Sequence, residues 1–187
     1  MTRYKELCEE FSKEELRQVA IDRILRELPV NMKQAITEYL AAPTGIAAMP
    51  TVVYGCETSY VDLYRPTIDE SGPQTRTRGD VDNCLCLDRE GMYCFGIGIY
   101  DEKLPGSLTT SFSMMHFTFC VEAFDEHYIE LRIKNMSGSI QISNANDRAS
   151  YADAAKLAIE RIVDAIKNPT TAYGSRAPFG FTTRQSQ

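Results

Sequence analysis

The chain has 187 residues, 43% hydrophobic and 25% charged, with six cysteines, a formal net charge of −6 and a pI of about 5.0. These proportions suit one globular domain large enough to bury a core. They argue against a membrane span, since no apolar run approaches ~18 residues. They also argue against nucleic acid, whose phosphates the negative field repels.

The opening stretch MTRYKELCEEFSKEEL is charged throughout and lacks an apolar h-region, so no signal peptide is expected and the cytoplasm is the expected compartment. In that setting the cysteines read as free thiols rather than a disulfide framework. Residues 4–11 predict a short lead-in helix. Ser12-x-x-Glu15 has the form of a capping box, and Leu16, Val19, Ala20, Ile21, Ile24, Leu25 and Leu28 follow at helical spacing. Pro29 is expected to stop that helix, because it lacks an N–H and disfavours a helical residue before it. Asn31 then predicts the cap of a second helix, running to about Ala42 before Pro43 and Gly45.

From residue 50 the hydrophobic period drops to two. Residues 51–64 predict a long strand, and residues 65–80, RPTIDESGPQTRTRGD, a long polar loop. Strands are expected at about 81–87 and 92–100, joined by DREG in a type I turn with Gly91 in the left-handed bulge position. DEKLPGS makes the next turn, and LTTSFSMMHFTFCVEAF is the longest apolar strand. HYIELRIK turns Ile129, Leu131 and Ile133 inward, and SGSIQIS gives a last short strand. Ser150 predicts the cap of a final helix with Ala154, Leu157, Ala158, Ile162, Ala165 and Ile166 on one side, ended by Pro169.

The predicted fold is therefore α+β: two N-terminal helices, a curved antiparallel sheet of about six strands, and one C-terminal helix packed on the sheet. Residues 1–168 form one domain, and 169–187 an irregular tail. No repeat of 20–50 residues is present. The element order resembles the helix-grip architecture, in which a curved antiparallel sheet wraps a long C-terminal helix. The usual first strand of that architecture is missing, and a fold likeness carries no function by itself.

The densest stretch for a site is NCLCLDREGMYCFGIGIY, residues 83–100. With Gly91 in the bulge, Asp88 pairs with Met92 and Cys86 falls opposite Cys94. Cys84, Cys86, Cys94, Gly96 and Gly98 then share one small face, while Leu85, Leu87, Tyr93, Phe95, Ile97 and Ile99 share a bulky core face. The small face can admit a close-packed neighbour, floor a ligand pocket, or hold a metal or a reactive thiol. Packing is the leading reading, because free cysteine behaves as a small buried hydrophobe. A zinc site wants paired Cys-x-x-Cys knuckles, and only one Cys-x-Cys stands here, so no metal is assigned. A Cys86–Cys94 disulfide fits cross-strand spacing but not a reducing compartment. A thiol nucleophile needs a base, and the histidines are His116, mid-strand, and His127, at a turn.

Other patterns are weak. The Arg78-Gly79-Asp80 tripeptide and the Asn135-Met136-Ser137 sequon matter only outside a cell. Asp80-x-Asp82-Asn83 starts like a calcium loop, but the required glycine and glutamate positions are Leu85 and Gly91. No phosphate-binding glycine loop is present.

The expected function is a non-catalytic acidic protein-binding module of adaptor, inhibitor, immunity or chaperone type, acting through surface loops or a sheet edge. Its partner would be another protein or a second copy, through Arg65, Asp69, Glu70, Arg76, Arg78 and Asp80. The alternative is a domain taking a small apolar ligand between sheet and C-terminal helix, lined by Cys84, Cys86, Cys94, Gly96, Gly98, Met114 and His116. A thiol-dependent enzyme stands third. No cofactor is expected.

Overall fold

The computed structural model describes residues 3–42, 60–66, 84–101, 113–125, 127–168 and 180–183. Helix α1 spans Arg3–Tyr39 and helix α2 Arg148–Lys167. The strands are β1 (Val61–Tyr64), β2 (Cys86–Leu87), β3 (Tyr93–Asp101), β4 (Ser113–Phe124), β5 (Ile129–Ile133), β6 (Ile140–Ile142) and β7 (Gly180–Thr183). The class is α+β: an antiparallel sheet of seven strands among the described residues, with α1 ahead of β1 and α2 between β6 and β7. None of the described helices is long and apolar enough to cross a membrane.

The β3–β4 ladder is the centre of the sheet, with eight residue pairs from Cys94↔Cys120 to Asp101↔Ser113. Along its far edge β3 takes β2 and then β1, and along its own far edge β4 takes β5 and then β7. Strand β6 closes the β5 side. Phe95, Ile97, Phe117, Phe119, Ile129, Leu131, Ile133, Ile140 and Ile142 are fully buried on one face of this sheet. They form one core with Ile21, Leu25, Leu28, Met32 and Ile36 of α1 and Tyr151, Ala154, Ala158 and Ile162 of α2. The alanines of α2 let α1 approach closely, since interaxial distance follows side-chain size. Lys33 of α1 lies 3.5 Å from Asp62 of β1, and Arg148 of α2 pairs with Glu38 of α1.

Two N-terminal helices were expected where one runs unbroken through Pro29. The proline forfeits one backbone hydrogen bond and crowds the preceding turn, at ~3 kcal/mol or more. Offsetting this, Leu28, Pro29 and Met32 are all buried, and burying each large apolar side chain contributes ~1.5–3 kcal/mol. The buried stripe Ile21, Ile24, Leu25, Leu28, Met32, Ala35, Ile36 keeps one helical register across the proline, so tertiary packing holds both halves in line. The helix ends instead near Ala41, in the left-handed region at φ 48°, where Ala42 N–H donates to the Thr37 carbonyl at 3.0 Å. The expected cap Ser12 sits inside the helix, its hydroxyl donating to the Cys8 carbonyl at 3.0 Å.

The cap of α2 is also displaced from its expected place. Asp147 accepts from Ala149 N–H at 3.1 Å, whereas Ser150 is buried with its hydroxyl 3.1 Å from that of Ser143. Leu157 and Ile166 of α2, expected on the core side, are exposed. The tail expected to be irregular contributes Gly180–Thr183 to the sheet, paired with Ser113–His116. The DREG turn forms as expected: Asp88 N–H donates to the Met92 carbonyl at 2.8 Å, and Gly91 sits at φ 80°.

Replacing the caps separates the two assignments. Asp147→Ala is expected to cost about 1 kcal/mol in urea unfolding, because a helix donor loses its acceptor. Ser12→Ala, at an exposed mid-helix position, is expected to stay within about 0.5 kcal/mol of the parent.

Candidate functional site

On the sheet face away from the core, pairing registers align side chains in rows across the strands. Cys86 of β2, Cys94 of β3, Cys120 of β4 and Arg132 of β5 form one row. Tyr64, Gly96 and Thr118 form the next, and Asp62, Gly98, His116 and Gly180 the third. The sequence leads to this segregation because bulky Phe95, Ile97, Phe117 and Phe119 alternate with small residues along β3 and β4.

Cys86, Cys94 and Cys120 pack together as a buried cluster separate from the main core. The Cys94 thiol donates to the Cys120 sulfur at 3.0 Å, and Cys86 Sγ lies 3.7 Å from the Pro66 carbonyl. A carboxylate oxygen of Asp88, Cys94 Sγ and Cys120 Sγ all lie within 4.8 Å of one another. The two bonds that hold the Asp88 side chain, from Glu90 N–H and Met92 N–H at 2.9 Å each, both fall on Oδ1. None of these three cysteines, nor Cys8 or Cys84, is joined in a disulfide.

The pair Cys94–Cys120 shares one hydrogen bond, and that bond splits their acidities. Donation to Cys120 holds the proton on Cys94 and pushes that thiol up, with burial adding to the effect. The same bond lowers the Cys120 thiol, helped by the charges of Lys134 and Arg132 against the opposing effect of burial. Burial pushes Cys86 up, while Arg65 opposes that through its charge and a hydrogen bond. So the cluster is the meeting point of three thiols, one carboxylate and a rim of cations.

The space over Gly96 is already filled by protein. A Cβ on Gly96 would lie 2.3 Å from the Tyr64 ring, which covers that position. Tyr64 meets His116 edge to face with centroids 4.9 Å apart, and its hydroxyl is 3.5 Å from that of Thr118. Burial pushes the Tyr64 phenol far above its ordinary range. His116 is buried and lies on the thiol face, opposite Gly98, but two rows from the cysteines.

Among the expected pocket residues, Cys86 and Cys94 come together, Gly96, Gly98 and His116 lie on the same face beside or beneath Tyr64, and Cys84 is buried ahead of β2 outside the thiol cluster. Met114 takes the β4 position opposite Tyr100. Of the expected partner-binding residues, Arg65 is exposed beside Cys86, while Asp69, Glu70, Arg76, Arg78 and Asp80 lie outside the described residues. Sequence reading missed Asp88, Cys120 and Tyr64. For Cys120 a signal existed: if Phe117 and Phe119 face the core, residues 116, 118 and 120 must face away with the small residues of β3.

A second feature is at the far end of α1. Every residue from 3 to 19 is solvent-exposed, including Tyr4 (74%), Leu7 (55%), Phe11 (69%), Leu16 and Val19. Tyr4, Leu7 and Phe11 follow at i, i+3 and i+7, hence on one side of the helix. Glu10–Lys13 at 2.6 Å and Glu14–Arg17 at 3.6 Å brace this half.

The ring over Gly96 is testable by substitution. Gly96→Ala is expected to cost ~2–3 kcal/mol in urea unfolding, as overpacking against an aromatic ring does. Gly91→Ala has open space around it and is expected to cost only ~1 kcal/mol, from its left-handed backbone. Equal costs would show that the ring does not rest there. Comparison of the chain with protein families, with curated proteins and with solved structures finds no match in any of the three.

Proposed function

We propose that this chain is a non-catalytic protein-binding module, and that the exposed N-terminal half of α1 is its binding element. The observation that carries the reading is the exposed triplet Tyr4, Leu7 and Phe11 on a helix whose other half is anchored in the core. Anchors at i, i+3 and i+7 are how an amphipathic helix enters an apolar groove on another protein. Exposed glutamates flank the triplet at Glu10, Glu14 and Glu15, which suits a groove with a basic rim.

The energetics favour such use. An isolated helix of 12–15 residues is marginal in water, and pairs such as Glu10–Lys13 add only ~0.2–0.5 kcal/mol each. Continuity with the buried half of α1 pre-forms the element, so a partner need not supply the ordering free energy. Burying the three side chains would contribute ~1.5–3 kcal/mol apiece. The net charge and the free thiols suit a reducing cytoplasm.

The test places a photo-crosslinking residue at Leu7 of the full chain in its own cells and identifies the adduct. The expected product is one stoichiometric heterologous protein. With that protein purified, Phe11→Ala is expected to weaken binding about 30-fold or more, as for an anchor residue. The melting temperature should not move, since Phe11 touches no core. No adduct, an adduct only to a second copy, or affinity untouched by Phe11→Ala would each refute the reading.

A further inference from the structure

We propose that Cys86, Cys94, Cys120 and Asp88 form a binding site for one thiophilic divalent cation of the zinc type, on the sheet face opposite the core. The site is separate from the α1 element and does not depend on its role.

The geometry carries the assignment. Zinc with sulfur and oxygen ligands at about 2.0–2.3 Å places its tetrahedral donors about 3.5–3.8 Å apart. Here Cys94 Sγ and Cys120 Sγ stand 3.0 Å apart, and the Asp88 oxygen is within 4.8 Å of both. Small side-chain rotations open the first distance and close the second. Cys86 is opposite Cys94 in the ladder and packs in the same cluster, so turning its sulfur from the Pro66 carbonyl supplies the fourth donor. Cysteine packing alone accounts for three small buried side chains. The turn bonds to Oδ1 hold the Asp88 carboxylate with an oxygen within 4.8 Å of both sulfurs, so the cluster offers an oxygen donor beside its thiols.

The surroundings fit the charge of such a site. Binding M²⁺ to three thiols and one carboxylate releases three protons and leaves M(S)₃(O) at −2. Arg65 faces Cys86, while Arg132 and Lys134 face Cys120, so cations border both sides. The Glu90 and Met92 amides fix the Asp88 carboxylate through Oδ1, as outer hydrogen bonds orient ligands in metal sites. The ligands come from three adjacent strands and a turn, so the ion would clip β2, which is only two residues long, to the sheet centre.

The test uses the reduced, chelator-stripped full chain titrated with Co²⁺ and then Zn²⁺. At one equivalent, Co²⁺ should give the visible bands of tetrahedral coordination and a near-ultraviolet thiolate charge-transfer band. Zn²⁺ should displace them and raise the melting temperature. Cys94→Ser and Cys120→Ser should each lower Co²⁺ affinity by more than the about 10–100-fold seen on losing an outer partner. Cys86→Ser and Asp88→Asn should lower it about tenfold or more, and Cys8→Ser, on exposed α1, should change nothing. No tetrahedral band and no thermal shift in the parent chain would overturn the site, and that readout does not require any variant to fold. Bands that survive Cys94→Ser and Cys120→Ser, or disappear with Cys8→Ser, would overturn it too. So would a Cys94–Cys120 disulfide that resists treatment with excess reductant.

Discussion

The register between β3 and β4 is the constraint on which the rest of the molecule depends. Phe95 opposite Phe119 and Ile97 opposite Phe117 put four large side chains on one face. The residues between them, Cys94, Gly96, Thr118 and Cys120, are thereby sent to the other. A slip of one residue would exchange the faces, burying thiols in the core and exposing phenylalanines. No intermediate register exists, because side chains alternate with a period of two. Every strand that joins later inherits this choice: Leu131 and Ile133 meet Val121 and Phe119 on the core side, and Cys86 meets Cys94 on the other.

The two faces then solve different packing problems. The core face is bulky and is covered by two helices, one of them lined with alanines so that the helix pair fits. The opposite face is thin, and protein side chains thicken it where they can. Tyr64 lies over Gly96 and against His116, a large ring compensating for a missing Cβ. One row along, three sulfurs and one carboxylate meet instead, with Arg132 at the β5 end of the row. Such a patch is chemically richer than packing requires. The exposed half of α1 is a separate matter, since it takes no part in either face.

Much of the fold could be read from residues alone where the signal is local. The DREG turn was identifiable because only a few residues favour a left-handed backbone and Gly91 stands at that position. From it followed the Cys86–Cys94 pairing. Strands β5 and β6 were identifiable by strict alternation, and α2 by its helical period. Pro29 misled for a physical reason: its local penalty is real, but the apolar stripe on both sides of it continues in one register. Ser12 and Ser150 misled similarly, since a hydroxyl near a helix can cap it, bond a carbonyl one turn back, or pair with another hydroxyl.

The sequence by itself determined the class, the elements with clear periodicity, the turn between β2 and β3 and the small face shared by Cys86, Cys94, Gly96 and Gly98, though not the place of Cys84 outside it. Each of these rests on contacts between near neighbours or on an alternation that any strand must obey. Only the tertiary structure decided that α1 is continuous, that Cys120 and Asp88 join Cys86 and Cys94, and that His116 stands against Tyr64 instead of the thiols. Those outcomes turn on which strand lies beside which and at what offset. That choice is set by burial summed over the whole sheet, a quantity that no single stretch of the chain contains.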